Sequence, residues 1–189
     1  MELLRRVRYN APVTLTFSLA ALGALLLGAL TGGWTTAKLF CVYRSSLLDP
    51  LTYVRLVLHV LGHASWAHFS GNILLLLVLG PQLEEKYGSR AVLECIVLTA
   101  LITGILQWLL FPGSAVMGAS GIVFMMILMA SMGGMRQGTI PLPLILVAVF
   151  YIGGELVTAV SAADNISQLS HIIGGICGAC FGFVLGKGR

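Results

Sequence analysis

Met117-Gly118-Ala119-Ser120-Gly121, running into Ile122-Val123-Phe124-Met125-Met126-Ile127-Leu128-Met129, is the stretch on which the reading of this chain turns. It sets a serine among small residues at the head of an apolar helix. The cluster Phe111-Pro112-Gly113-Ser114 just before it is where a preceding helix should stop. Backbone N–H groups at a helix start have no intrahelical partner, and the helix dipole favours negative charge there. Ser120 therefore sits where an oxyanion could be held, with glycines on either side leaving access. The plainer reading is a loop serine that caps a membrane helix.

Working outward, 58% of the 189 residues are hydrophobic, 10% are charged, and the mean hydropathy is +0.97. That composition is foreign to soluble domains and predicts a polytopic, all-α membrane protein forming one domain over residues 1–189. The net charge of +4 does not point to nucleic acid, because the basic residues fall at helix ends. Cys41, Cys95, Cys177 and Cys180 lack metal-ligand spacing and read as small buried hydrophobes. The first apolar run is long for a cleaved leader.

About twenty apolar residues cross a bilayer. On that basis spanning segments are expected at Ala11–Leu30, Ala67–Leu83, Ala91–Leu110, Ser120–Met132 (short and central), Ile140–Val160 and Gln168–Leu185. Residues 31–57 are expected to form a long extracytoplasmic loop lying partly in the interface, where Trp34, Tyr43 and Tyr53 suit the depth. Glu84, Glu85, Lys86 and Arg90 read as a charged cytoplasmic turn. Eight basic residues fall on the inside of this arrangement against Lys38, Arg44 and Arg55 outside. The positive-inside rule thus places both termini in the cytoplasm.

Polar groups inside a membrane are functional candidates. His68, Ser120 and His171 each lie 16 residues before a cytoplasmic charge: Glu84, Arg136 and Lys187. At 1.5 Å per residue that is roughly 24 Å, which sets all three in one layer short of the outer surface. Asn72 follows His68 by one helical turn. Gly174, Gly178, Gly182 and Gly186 recur every four residues, a bare ridge that would let the last helix approach its neighbour at Gly121. Serine needs a base, and histidine is suited near neutral pH. No carboxylate is placed to orient His171, so the types point to a Ser120–His171 dyad. His68, Asn72 and the Ser120 N–H would be the oxyanion donors. Taken singly, His68 could be an interfacial histidine, Asn72 a helix bridge and His171 a packing residue.

Together these residues resemble the rhomboid intramembrane serine proteases. Gly118-Ala119-Ser120-Gly121, His171-Ile172-Ile173-Gly174 with Gly178, and His63, His68 and Asn72 at their spacing carry the resemblance, which runs from Tyr53 to Gly186. It implies a six-helix core and a prokaryotic enzyme of the cell (inner) membrane. It also implies single-pass transmembrane substrates cut in or near the bilayer, with no cofactor and no metal. His63 would be structural, hydrogen-bonding the loop at the start of the second helix. Glu84 matches that helix's cytoplasmic end, Arg55 matches a loop arginine whose usual tryptophan partner is here Val54, and Phe124 replaces an aromatic that packs on the histidine. Ser170 stands where a small alanine is common.

Other readings are a catalytically silent relative that binds membrane clients, a metal protein using His59, His63 and His68, and a transporter using Glu94 and Glu155. The metal reading lacks any H-E-x-x-H pattern, and the transporter reading lacks an inverted repeat.

Overall fold

A computed structural model describes residues 9–132 and 166–186, with positions 142, 145, 146 and 149 between them. The expected segment Ile140–Val160, its Glu155, and the basic residues Arg136, Lys187 and Arg189 lie outside the described residues or at their isolated positions. Among the described residues four helices are long and apolar enough to cross a membrane: α1 (Pro12–Leu30), α4 (Trp66–Tyr87), α5 (Ser89–Leu110) and the last described helix, α7 (Ile166–Gly186). Helix α6 (Ser120–Ser131) has 12 residues, so it reaches about 18 Å along its axis.

The segment expected as a loop at 31–57 is built of secondary structure. It holds α2 (Trp34–Leu39), a two-residue strand β1 (Val42–Tyr43) and α3 (Pro50–Leu58), followed by a single 3-10 turn at His59–Leu61. The start of α3 is written locally. Asp49 Oδ1 accepts the Leu51 N–H at 3.0 Å and Pro50 occupies the first helical position, where its missing N–H costs nothing. In the same way Ser65 Oγ accepts the His68 N–H at 3.1 Å and starts α4.

Arg55 organises this segment. It is only 3% exposed, and its guanidinium donates to the Lys38 carbonyl, Ser45 Oγ and Asp49 Oδ2 while lying over the Tyr43 ring. A planar fork with several donors can satisfy all three directions at once. Trp108 Nε1 donates to the Ser45 carbonyl at 3.1 Å and ties the segment to α5.

Two expectations are corrected at the ends of α4 and α7. Helix α4 runs on to Tyr87, so Glu84 belongs to its last turn rather than to a charged connection, and it is buried. Its carboxylate accepts from Thr14 N–H at 2.7 Å, Thr14 Oγ at 2.6 Å and Val13 N–H at 3.2 Å. The two N–H groups are orphan donors of the first turn of α1, and an acid is the complementary group for a helix start. Glu94, by contrast, is an exposed partner of Arg90 at 2.9 Å one turn away. The glycine ridge is also shorter than its sequence period. A Cβ on Gly174 or Gly178 would run into the backbone of Gly121 or Met125, and one on Gly182 would touch Met132, but one on Gly186 would meet none of the described residues. Helix α6 has by then ended, at Ser131.

The core lies where α4, α5, α6 and α7 meet. Leu76, Leu83, Val92, Ile96, Ile122, Met125, Met126 and Met129 are buried there. Helix α6 is enclosed by the others, which explains why it reads as apolar on every side.

Candidate active site

The Gly118 backbone fixes the geometry at the head of α6. Its φ is +131°, a region open to glycine and strained for other residues. Its N–H donates to the His59 carbonyl at 3.0 Å. A Cβ at this position would lie 2.8 Å from the His68 ring and 4.0 Å from Asn72 Nδ2. The turn leading into Ser120 is thus pressed directly against the two polar side chains of α4. Just upstream, Ala115–Val116 forms β2, which pairs antiparallel with β1 in the register Val42↔Val116 and Tyr43↔Ala115. Gln107 Nε2 donates to Ser114 Oγ at 2.9 Å and secures the other end of this connection to α5.

Ser120 is the first residue of α6. The N-cap is Ala119, with no side-chain capping bond, so Ser120 is not a capping serine. Its N–H is one of the groups a helix start leaves without an intrahelical partner. From α4, Asn72 Nδ2 donates to the His68 carbonyl at 3.1 Å, which holds the two side chains on adjacent turns. From α7, the His171 ring lies 4.6 Å from the Phe124 ring, centroid to centroid, with the planes at 43°. The close approach of Gly174 to Gly121 brings α7 to α6 at this level.

A cavity of about 690 Å³ joins these groups. His68, Asn72, Ser120, Phe124, Ser170 and His171 line it, with Gly71 and Leu75 along its α4 side. Each expected dyad and oxyanion residue therefore borders one cavity, contributed by three helices distant in sequence. His63 stands behind His68 with ring centroids 5.0 Å apart and edge-to-face geometry, and it also meets Phe69 edge-on at 5.5 Å. Its Nδ1 is 3.1 Å from the Leu61 carbonyl, so the turn it braces is its own. Burial pushes the His59 and His63 imidazoles down to about 4, which keeps both neutral. Glu84 and Arg55 lie away from the cavity, at the foot of α1 and in the 31–58 segment. Among the described residues no three His, Cys, Asp or Glu side chains converge as a metal site.

Sequence reasoning missed the β1–β2 pair and the bond from Gly118 to the His59 carbonyl. Strands of two residues are too short to show alternation, and a backbone acceptor leaves no mark on residue types.

Among the described residues, four helices long and apolar enough to span a bilayer, with a short helix packed among them and a cavity at its head, describe an integral membrane protein. Comparison with protein families matches residues 50–188 to the Rhomboid domain, and the chain belongs to the rhomboid family. It is similar to the rhomboid protease GluP of Bacillus subtilis (strain 168), with 29% identity over 180 residues. That alignment takes in 90% of this chain and 35% of the Bacillus protein, so the chain spans about a third of the length of the curated relative it matches.

Proposed function

We propose that the protein is an intramembrane serine endopeptidase in which Ser120 is the nucleophile and His171 the base. The observation that carries this reading is the single cavity bordered by Ser120, His171, His68 and Asn72. In the reaction, Ser120 Oγ attacks a peptide carbonyl and His171 takes its proton. The oxyanion of the tetrahedral intermediate is met by the Ser120 N–H and by the side chains of His68 and Asn72. One such donor is commonly worth ~2.7–4 kcal/mol of barrier. His171 then passes the proton to the departing amine, leaving an acyl group on Ser120, and a water activated by the same imidazole releases it. Phe124 holds the imidazole plane, and Gly118 and Gly121 give the backbone room to approach.

The substrates in this reading are single-pass transmembrane proteins that reach the cavity from the lipid. The full architecture is the six-helix core in one domain, with both termini in the cytoplasm and the protein in the cell membrane of a prokaryote. Neither cofactor nor metal takes part. Peptide bonds in lipid are internally satisfied in a helix, so a substrate must unwind at the cavity mouth before the serine can reach its carbonyl.

The test is cleavage of a single-pass model substrate by the purified protein in liposomes. Ser120→Ala and His171→Ala should each reduce the rate by at least ~10³-fold. Undiminished cleavage in either variant refutes the dyad. A wild-type protein that binds the substrate without cutting it selects the silent, client-binding alternative.

A further inference from the structure

Among the described residues five polar side chains border the cavity at the head of α6: His68, Asn72, Ser120, Ser170 and His171. The reaction proposed above gives work to four of them. Ser170 is the fifth. The residue is buried, 8% exposed, and its hydroxyl can donate one hydrogen bond and accept two.

Its place follows from the ridge of α7. Ser170 precedes Gly174 by four residues and Gly178 by eight, so it stands on the stripe that faces α6, one turn nearer the helix start. Gly174 meets the Gly121 backbone, and a Cβ on Gly121 would lie 3.3 Å from the Ser170 carbonyl oxygen. The stripe therefore brings Ser170 alongside Gly121, the residue after Ser120. His171, next along α7, is turned by about 100° around the axis and meets the ring of Phe124, which follows Ser120 by one turn of α6. Ser170 and His171 thus flank the head of α6 from one side.

The groups assigned to the oxyanion come from another side. His68 and Asn72 belong to α4, and the Gly118 turn is pressed against them. In that reading an acyl group on Ser120 points its carbonyl oxygen at α4, and the amine departs on the α7 side with a proton from His171. The water that releases the acyl group enters by the same side, because one imidazole serves both steps. A water has two hydrogens, and the imidazole takes one. Fixing the other sets the direction from which the water attacks, and orientation of this kind is a direct source of rate.

We propose that Ser170 holds the hydrolytic water, its Oγ accepting one hydrogen of that water while His171 accepts the other. This role rests on the Ser120–His171 dyad. The water oxygen bonds to the acyl carbon as His171 takes the proton. The bond from that carbon to Ser120 Oγ then breaks, the imidazolium returns the proton to Ser120 Oγ, and the carboxylic acid product leaves. Ser170 is neither acylated nor deprotonated. It adds one neutral hydrogen bond, so its loss slows hydrolysis of the acyl-enzyme without stopping it.

The test separates the two half-reactions in the full chain, reconstituted in liposomes. A fluorophosphonate labels an activated serine and needs no water, so wild type and Ser170→Ala should be labelled at Ser120 at the same rate. An activated aryl ester acylates the serine without protonation of its leaving group, which makes hydrolysis of the acyl-enzyme the slow step. With that ester Ser170→Ala should turn over about tenfold more slowly than wild type, the worth of one neutral hydrogen bond. Mass spectrometry should show the variant accumulating the acyl adduct on Ser120. Ester turnover in Ser170→Ala that matches wild type, with labelling intact, overturns the role of Ser170 and leaves the dyad standing. Labelling and turnover slowed by the same factor also overturn it, because Ser170 then acts through packing alone. No labelling of Ser120 in the wild type refutes the dyad, and this role with it.

Discussion

Gly174 of α7 sits so close to Gly121 of α6 that a single added methyl would strike the Gly121 carbonyl. Gly178 repeats the relationship one turn further along, against Met125. In lipid, where apolar surface alone does not drive helices together, such backbone proximity is what holds a pair in register. The pair in question carries the serine and the histidine.

Gly174→Ala and Gly178→Val should therefore separate α6 from α7. Overpacking of this kind costs typically ~1–3 kcal/mol, and both variants should melt earlier in detergent and lose cleavage. Gly186→Ala is the control. Its added methyl meets none of the described residues and it gains helix propensity, so its melting temperature should be unchanged or slightly raised. Identical thermal shifts in all three variants would show that the ridge is not a contact.

Gly118→Ala tests the turn at the head of α6. The new Cβ must tolerate φ of +131° and would lie 2.8 Å from the His68 ring. Backbone strain of this sort costs on the order of 1–3 kcal/mol. The displaced His68 should lower kcat by roughly 10²-fold, the effect of a lost oxyanion donor. Steady-state kinetics and a melting curve on the same preparation would check it, and full kcat in a folded variant would count against the role given to His68.

Glu84→Gln examines the foot of α1. The carboxylate accepts three hydrogen bonds from Val13 and Thr14, and an amide can neither match the charge nor present two acceptor oxygens. Hydrogen bonds to charged groups contribute about 1.5–3 kcal/mol, so a loss of about 2 kcal/mol in unfolding free energy is expected. Glu85→Gln, in an exposed position of the same turn, should be silent.

Stability should also depend on pH through His59 and His63. Burial holds both near 4 in the folded protein, below the ~6.5 of an unfolded histidine. A depressed histidine favours the fold while it is neutral. The stability is complete above about pH 6.5 and declines as the pH falls towards 4, because the unfolded chain takes up protons first. Melting temperatures measured from pH 7.5 to 4.5 should fall across that window, and His63→Gln should flatten the slope. An unchanged slope would show that His63 is not the group being titrated.

Much of this protein could be read from residue order alone. Apolar run lengths located α1, α4, α5 and α7 to within a turn or so, because the thickness of the bilayer translates directly into a number of residues. The four-residue glycine period announced a close helix contact, and the residue types at His68, Asn72, Ser120 and His171 picked out side chains that border one cavity. Those signals are local or periodic, so a single chain carries them openly. Tertiary structure alone decided that Glu84 serves the start of α1, that among the described residues the ridge makes contact as far as Gly182, and that Arg55 gathers the 31–58 segment. It alone showed that Gly118 hangs from the His59 carbonyl against the His68 ring. Each of these is a meeting of groups far apart in sequence, several of them through backbone atoms that every residue shares, and no pattern of side-chain types records which of them will be brought together.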